Sequence, residues 1–526
     1  MILLVVFISN YFPSIAVILF FAVLAIVLLV LGRGKYTRKT THETELKLIL
    51  LIFAIAVTVR LYVQTFWEYP VIGGDWYYHT LVVPHKIEML ELAPPRDRTP
   101  LFSLIILAYH KLLGYSLYEF WVSQITSVLL NSLFLFPAYM IARKVFGIKI
   151  AVVSTIFMTI TPFLLEQSIY TWPKNLAMYF ALLMIYFAFF SEAEDRIKYL
   201  LAGIFGSLGF LAHNYVTVYV ITTFFALIYF HRRAHIPQSR NRLVKNVCLF
   251  TLGLILPLLP YFFWVFVSYG TVSTSRFIYY PFAVDPEDVD TILNGDPNTV
   301  VRKFFLTPIS KIIWVKVADA IVTLTPAALP VNPIATSFRT YFPVYYYSHD
   351  YPGALSTLMY FLVVFWFVRY VLRKTKTNKV LFVFLVVPFV MFLVVSGWLD
   401  WGLLTAGLHP TLPILVMLGF NELEKFNNRL NFLFKIFIFA GAIIENAIFM
   451  WLLIAFYMLG GGITQVEEDV QRCIPDFDIS KFVSAHFFTG NFETVSIVLN
   501  TIVFLTLVTI EIVMFNSSKI LKDFET

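Results

Sequence analysis

The chain has 526 residues, of which 59% are hydrophobic and 13% are charged, and its mean hydropathy is +0.79. Soluble domains carry about a quarter charged residues, so the composition excludes a water-soluble enzyme, a disordered chain and a disulfide-stapled scaffold. The 39 Lys and Arg residues exceed the 32 Asp and Glu residues, which gives a net charge of +7. Because the basic residues cluster in short gaps between apolar runs, they indicate a membrane protein with a fixed orientation, and we expect no nucleic-acid partner.

Apolar runs long enough to cross a bilayer recur along the whole chain. They lie at residues 12–32, 48–67, 119–141, 148–166, 174–190, 247–267, 354–371, 380–397, 402–420, 433–457 and 494–515. A further stretch, 199–230, is too long for one ordinary span and is interrupted by glycines and by His213-Asn214. We therefore predict two helices there, joined in a tight hairpin. Since about 20 apolar residues cross the hydrocarbon core as a helix, we expect an all-α polytopic membrane protein with about 13 transmembrane helices.

Clusters of basic residues in four gaps predict the orientation of the chain. The clusters lie within Arg33–Lys47, Arg143–Lys149, Arg232–Lys245 and Arg369–Lys379. The positive-inside rule assigns these gaps to the cytoplasm, which places the N-terminus outside and the C-terminus inside. No basic residue precedes Arg33, so we predict that the first apolar run is retained as a helix rather than cleaved as a signal peptide.

The same pattern divides the chain into an N-terminal helix with a basic loop, a transmembrane core, a large outer loop and a set of C-terminal transmembrane helices. These parts comprise residues 1–47, 48–267, 268–353 and 354–526, respectively. Two further outer segments lie at 68–118, inside the core, and at 458–493. We expect an integral multi-pass protein of the cell membrane, or of the endoplasmic reticulum membrane in a eukaryote. Its site would face outside or into the lumen.

Two features of the outer segments predict local structure. Residues 99–114 are apolar but too short to span. We expect juxtamembrane helices on the outer face, and this segment fits one, with Leu and Phe toward lipid and with His110 and Lys111 toward water. The acidic patch Asp285–Asp290 lacks the ligand spacing of a calcium-binding loop, so we expect it to keep the outer loop soluble rather than to bind a cation.

A carboxylate in the first outer segment is the strongest candidate for catalysis. Asp75 follows two glycines and precedes aromatic residues, among them Tyr78, that can lie at the level of the lipid headgroups. Such a carboxylate can act as a general base toward a hydroxyl group, or it can simply cap an interfacial helix. If a helix starts at Asp75, His79 lies one turn later on the same face.

The order of elements from residue 48 to about residue 190 resembles the GT-C class of membrane glycosyltransferases. The resemblance is carried by Arg60 inside a span, by the Asp-x-x-Tyr-His order of residues 75–79, by an apolar helix opening at Thr99-Pro100-Leu101, and by the sequence TPFLLEQSIYTWPKNLAMY. The class includes protein O-mannosyltransferases and lipid A aminoarabinose transferases. Its catalytic acidic residue lies in the first outer loop, where Asp75 is the match. The Asp-x-x-Tyr-His order is also similar to the first-loop motif of oligosaccharyltransferase catalytic subunits, in which the Asp binds a divalent metal.

The resemblance implies a membrane glycosyltransferase that moves a sugar from a polyprenyl-phosphate-linked donor to an acceptor hydroxyl at the outer face. The acceptor would be a glycan, a lipid or a protein, and the donor's tail would stay among the membrane lipids. Asp75 would remove the acceptor's proton, and the anomeric configuration would invert. His79 would orient Asp75 or help to hold a metal. The sequence requires no cofactor and is compatible with a divalent cation.

Displacement of a lipid phosphate needs positive charge or hydrogen-bond donors near the departing group. The candidates on the outer side or within the membrane are Arg60, Lys174, Arg276 and His409. Each has an ordinary alternative: Arg60 can snorkel to the surface and Lys174 can anchor the interface. His409 can be a satisfied interior histidine, and Arg276 can be a solvated arginine. Glu166, before the short outer turn that leads to Lys174, is a further candidate.

Other functions stay open at this point. An oligosaccharyltransferase-like enzyme without a soluble domain would bind a divalent metal at Asp75 and a peptide in a groove. A multi-span transporter of lipids or solutes often shows two related halves and broken helices near the bilayer midplane, and the sequence gives little sign of either. The polar residues clustered in the outer segments disfavour a purely structural membrane subunit.

Overall fold

The computed structural model describes residues 41–64, 77–89, 99–233, 239–270, 276–324, 378–395 and 407–425, with short helical pieces and single residues between 431 and 481. Every regular element in these residues is helical, and they contain no β-strand. The all-α prediction is therefore confirmed for the described part of the chain. Asp75 and the predicted runs 12–32, 354–371 and 494–515 lie outside it.

Residues 41–269 contain eleven numbered helices within the described part of the chain. They are α1 (Thr41–Gln64), α2 (Val83–Glu88), α3 (Leu101–Leu113), α4 (Phe120–Ser132), α5 (Leu135–Phe146), α6 (Ile148–Ile160), α7 (Pro162–Ile169), α8 (Lys174–Phe189), α9 (Asp195–Ala212), α10 (Val216–Arg233) and α11 (Ser239–Tyr269). A π-helical turn, Tyr78–Val82, leads into α2. The later elements are a 3-10 helix (Arg276–Phe282), α12 (Pro286–Asn294), α13 (Pro297–Leu306), α14 (Ile309–Leu324), α15 (Lys379–Val395) and α16 (Thr411–Leu423).

Two of the described helices are long and apolar enough to cross a membrane, namely Phe120–Phe146 and Asn241–Ser268. A third would be added if Ile148–Ile160 and Phe163–Ile169, which meet at a bend of 60°, form one broken span. The total of about 13 spans remains a prediction from the apolar runs. The predicted break in the stretch 199–230 is present, because α9 ends at Ala212 and α10 begins at Val216.

Basic residues from two predicted cytoplasmic gaps, Arg143–Lys149 and Arg232–Lys245, lie at one end of the helix bundle. Arg143 bonds Glu45 at 2.7 Å, Lys149 bonds Glu424 at 2.6 Å, and Arg242 bonds Asp195 at 2.5 Å. These pairs join the start of α1 to the end of α5, the start of α6 to the end of α16, and the start of α9 to the start of α11. The alternation of helix directions puts the other ends of these helices together. We call that end the outer end, because the positive-inside rule predicts that it faces away from the cytoplasm.

Helices α9 and α11 cross closely because glycines face each other at the contact. A Cβ atom on Gly203 would overlap the carbonyl oxygen of Phe250 and would lie 2.8 Å from the backbone nitrogen of Leu254. A Cβ atom on Gly253 would overlap the carbonyl oxygen of Leu200. Small residues at a crossing allow two backbones to approach in this way. Gly203 and Gly253 are therefore constrained by the packing of α9 against α11.

We expect Gly203→Ala to destabilise the fold by about 3 kcal/mol, because the new methyl group would meet backbone atoms that cannot move aside. Gly206→Ala is the matched control. Its Cβ atom would meet only side chains, those of Leu254, Met184 and Val220, at 3.0–3.2 Å. Thermal unfolding in detergent should show a clearly lower unfolding temperature for Gly203→Ala. Equal unfolding temperatures for the two variants would contradict the close crossing.

The surface helix predicted at 99–114 corresponds to α3, and one expectation about it is wrong. Leu112 and Leu113 are exposed, as is Lys111, which pairs with Glu88. His110, however, is 1% exposed and does not face water. Its ring nitrogens lie 2.9 Å from Ser123 Oγ on α4 and 2.8 Å from the Ser116 carbonyl oxygen. Burial lowers the pKa of His110 below its ordinary 6.5, so the ring is a neutral part of the α3–α4 contact at pH 7.

The acidic patch in the large outer loop is also more structured than predicted. The 3-10 helix packs against α12 and α13 around Tyr280, Ile292 and Val300. Asp288 accepts a hydrogen bond from the backbone N–H of Asp285 and from Lys303 at 2.6 Å. Asp285 is bonded by Lys303 at 2.9 Å and by Lys311 at 2.7 Å. Two carboxylates of the patch therefore stabilise a small outer module rather than serving solubility alone.

This module should lose stability at low pH. Burial would raise the pKa of Asp285, but the ion pairs with Lys311 and Lys303 outweigh it and hold the pKa below 3.8. The stabilisation is present above pH 3.8 and is lost as the pH falls through the lower folded value. Hydrogen exchange of residues 276–306 should accelerate in that range. Lys303→Met should raise exchange already at pH 7, and unchanged exchange in both tests would contradict the role of the ion pairs.

Candidate functional site

Several polar side chains that the sequence analysis named as candidate site residues are buried at the outer end of the bundle, although they lie far apart in the sequence. Arg60 and His409 are 0% exposed, Lys174 is 1% exposed and Glu166 is 7% exposed. Ionisable groups inside a membrane protein are costly and usually functional. We call these four residues, together with Gln167 and Tyr215, the outer polar cluster; the contacts described below join Lys174, Tyr215, His409 and Gln167.

Arg60 lies on the last turns of α1, which packs against α4, α6 and α7. Its Nη2 donates to the carbonyl oxygen of Met158 at 3.5 Å, and the guanidinium carbon lies 5.9 Å from the centroid of the Phe134 ring. The side chain therefore points into the protein and does not snorkel to the surface. A guanidinium group carries a delocalised positive charge and a planar fork of N–H donors that suits phosphate oxygens.

A break between α6 and α7 comes just before Glu166 and Gln167, and Gln167 contacts His409. Pro162 opens α7, and Thr161 before it has an extended backbone (φ −63°, ψ 121°), as expected for a residue that precedes proline. The two helices consequently meet at 60°. Broken helices at membrane depth are tolerated where they are enclosed by protein or line a polar cavity.

The turn between α7 and α8 carries Lys174 and is strained. Thr171 has φ +53° and is fully buried, and this left-handed conformation costs a non-glycine residue about 1–3 kcal/mol. Lys174 begins α8, and its Nζ lies 3.4 Å from the centroid of the Trp172 ring. The cation–π contact favours the ammonium group, whereas the positive end of the helix dipole opposes it. An anion bound there would relieve the second effect.

Tyr215 joins the Lys174 turn to His409. Its hydroxyl donates to the carbonyl oxygen of Lys174 at 2.8 Å, and its ring stacks on the His409 ring with centroids 5.9 Å apart. His409 Nε2 lies 3.3 Å from Oε1 of Gln167. Tyr219, four residues after Tyr215 and on α10, donates a hydrogen bond to the carbonyl oxygen of Gly407 at 2.7 Å. This bond holds the segment that carries His409.

Sequence reasoning identified Lys174, His409 and Arg60 but missed Tyr215 and Gln167. The only available signal for Tyr215 was its position beside the His213-Asn214 break. His213 itself serves the hairpin tip, because its Nδ1 lies 3.3 Å from the Tyr215 backbone nitrogen, which donates to it.

The remaining predicted residues are placed only in part. Asp75 lies outside the described residues. His79 is buried on the π-helical turn, with its ring edge-on to Phe102 at 6.1 Å, and Tyr78 beside it is half-buried. The backbone of Arg276 opens the 3-10 helix of the outer module, and its side chain is not described. Among the described residues, no group of three His, Cys, Asp or Glu side chains is arranged to hold a metal ion.

Comparison with known families identifies the central segment. Residues 97–261 match the family described as dolichyl-phosphate-mannose-protein mannosyltransferase. The predicted resemblance to GT-C glycosyltransferases is confirmed. The matching residues end within α11, and the mannosyltransferase-like segment supplies Glu166, Gln167, Lys174 and Tyr215 to the outer polar cluster. Arg60 and His409 come from outside it.

Two solved structures are similar to most of the chain at low sequence identity. One is the oligosaccharyltransferase of Archaeoglobus fulgidus in its apo form, with 12% identity, a TM-score of 0.49, and coverage of 79% of this chain and 56% of that one. The other is ArnT from Cupriavidus metallidurans bound to undecaprenyl phosphate, with 12% identity, a TM-score of 0.48, and coverage of 88% and 77%. The chain thus spans little more than half the length of the oligosaccharyltransferase. No curated protein sequence shows significant similarity to it.

Proposed function

We propose that the protein is a membrane glycosyltransferase that transfers a sugar from a polyprenyl-phosphate-linked donor to an acceptor hydroxyl at the outer face, with inversion. The observation that carries the proposal is the outer polar cluster, which buries Lys174, His409 and Arg60 beside a segment similar to a mannosyltransferase family. The family description names dolichyl-phosphate mannose, so mannose is the first sugar to test.

The buried cations would bind the phosphate of the donor. As the bond between the sugar C1 and the phosphate oxygen breaks, negative charge builds on the departing lipid phosphate. Preorganised positive groups in a site that excludes water stabilise such charge far better than water does. Lys174 at the start of α8 is suited to this role, because an anion there meets both its ammonium group and the positive end of the helix dipole. Arg60 and His409 would add further donors.

Asp75 would complete the reaction from the acceptor side. Its carboxylate takes the proton of the acceptor hydroxyl while the hydroxyl oxygen forms a bond to C1 from the face opposite the phosphate. The bond from C1 to the phosphate breaks, the lipid phosphate leaves with the bonding electrons, and the configuration at C1 inverts. His79, four residues after Asp75, would orient this carboxylate. No step requires a metal, although Asp75 and His79 are of the types that bind divalent cations.

Incubation of the purified protein with a panel of polyprenyl-phosphate sugars tests this proposal. The panel should include dolichyl-phosphate and undecaprenyl-phosphate derivatives of several sugars, each with glycan, lipid and peptide acceptors. We expect transfer from at least one donor, together with release of the lipid phosphate. Absence of both transfer and release with every donor would contradict the proposal and favour a transporter.

A further inference from the structure

The strained turn between α7 and α8 is held by a side chain from another helix. Asn131, near the end of α4, is fully buried. Its Nδ2 donates to the carbonyl oxygen of Trp172 at 2.6 Å, and its Oδ1 accepts from the backbone N–H of Leu176 at 3.0 Å. One amide group therefore bridges the turn and the first turn of α8, and the two bonds bracket Lys174.

A second set of buried bonds ties the same region to α7. Asn175 Nδ2 donates to Ser168 Oγ at 2.9 Å and to the carbonyl oxygen of Leu164 at 3.1 Å. Ser168 Oγ also lies 3.4 Å from the carbonyl oxygen of Asn131. The end of α4, the end of α7 and the start of α8 are consequently joined by side-chain amides and a hydroxyl. Asn131 is the member of this set that contacts residues on both sides of Lys174.

The turn needs a restraint that its own residues do not provide. A β-branched residue such as Thr171 rarely adopts a positive φ. Within the described residues the Thr171 hydroxyl, although buried, makes no hydrogen bond, so its own side chain does not stabilise this conformation. The bonds of Asn131 to the next residue, Trp172, and to Leu176 span the turn and stabilise the conformation in which they are formed.

We propose that Asn131 is a positioning residue, which holds the strained turn so that the Lys174 ammonium group stays over Trp172 and toward the donor phosphate. The part played by Lys174 rests on the proposed function. The restraint of the turn is a property of the fold and can be tested with or without a lipid phosphate.

The test compares Asn131→Leu, which removes both bonds at similar volume, with the double variant Asn131→Leu/Thr171→Gly. Glycine adopts a positive φ at little cost, so it should restore the turn without the restraint. Ser132→Ala is the matched control, because the Ser132 hydroxyl is buried beside Asn131 but donates within its own helix, to Val128 at 2.7 Å. Two quantities are measured in nanodiscs, the equilibrium binding of radiolabelled dolichyl phosphate and the fluorescence emission of Trp172. The emission is obtained by subtracting the matching Trp172→Phe variant.

We expect Asn131→Leu to weaken binding by about 10-fold, the loss expected when a charged group no longer forms its hydrogen bond. The Trp172 emission should shift in Asn131→Leu. The double variant Asn131→Leu/Thr171→Gly should regain the binding and the emission of the wild type, and Ser132→Ala should resemble the wild type in both. Unchanged binding and emission in Asn131→Leu would overturn the positioning role and leave the proposed function intact. A loss of binding in Asn131→Leu that persists in the double variant would also overturn the positioning role, because Asn131 would then act through packing alone.

If the wild-type protein binds no dolichyl phosphate, the proposed function is weakened, and the emission of Trp172 alone decides the positioning role. A shift in Asn131→Leu that Thr171→Gly reverses supports it, and an unshifted emission rejects it.

Discussion

Replacement of Asp75 by Asn is expected to lower the rate of sugar transfer by about 10²–10⁴-fold, the contribution typical of a general base. The amide keeps the shape of the side chain but cannot accept the acceptor's proton. Binding of the donor should be retained, because the donor phosphate is assigned to the cations of the outer polar cluster. The measurement is the transfer rate under saturating donor, with dolichyl phosphate binding determined on the same preparation.

Asp290→Asn provides the control for this substitution. Asp290 is an exposed carboxylate on α12 of the outer module, and its replacement should leave the transfer rate near that of the wild type. Equal rates for Asp75→Asn and the wild type would remove the base from the mechanism.

Replacement of Lys174 by Met is expected to reduce donor-dependent transfer by about 10²–10³-fold, as is typical when one group that stabilises the transition-state charge is removed. The unfolding temperature is measured on the same preparation, because the removal of a buried charge from its partners can also change stability. Lower activity with undiminished stability distinguishes a functional lysine from a structural one.

Lys198→Met is the matched control for Lys174→Met. Lys198 also lies close to an aromatic ring, with its Nζ 4.8 Å from the centroid of Tyr199, but it is at the opposite end of the bundle. Its replacement should leave transfer unchanged. If both variants lose activity to the same extent, the special role of Lys174 is contradicted.

Features set by composition and local pattern were predictable from the sequence. The apolar run 174–190 corresponds to α8 at Lys174–Phe189, because a proline fixes where the helix starts and the apolar residues fix its length. The break near His213 was predictable, because 199–230 exceeds the thickness of a bilayer and carries a polar pair. Lys174, Arg60 and His409 stood out because charged or titratable groups are rare in apolar segments.

Features set by contacts between distant residues were not predictable. Tyr215 contacts the Lys174 carbonyl across 41 positions, and Asn131 contacts Trp172 across 41 positions. No local pattern marks such a tyrosine or asparagine among the other polar residues of apolar helices. The same reason explains why the prediction that His110 faces water was wrong. Its hydrogen-bond partner Ser123 lies on the next helix, and the ring is buried between the two helices. The positive φ of Thr171 likewise depends on bonds made by other elements.

The most direct test of the account follows the configuration of the transferred sugar. A polyprenyl-phosphate sugar of known anomeric configuration, labelled with ¹³C at C1, is supplied with an acceptor to the wild-type protein in nanodiscs, and the product is analysed by NMR. We expect one lipid phosphate released for each glycoside formed, with the opposite configuration at C1, and product formation about 10²–10⁴-fold slower with Asp75→Asn. A product with retained configuration, or no product from any donor, would contradict it.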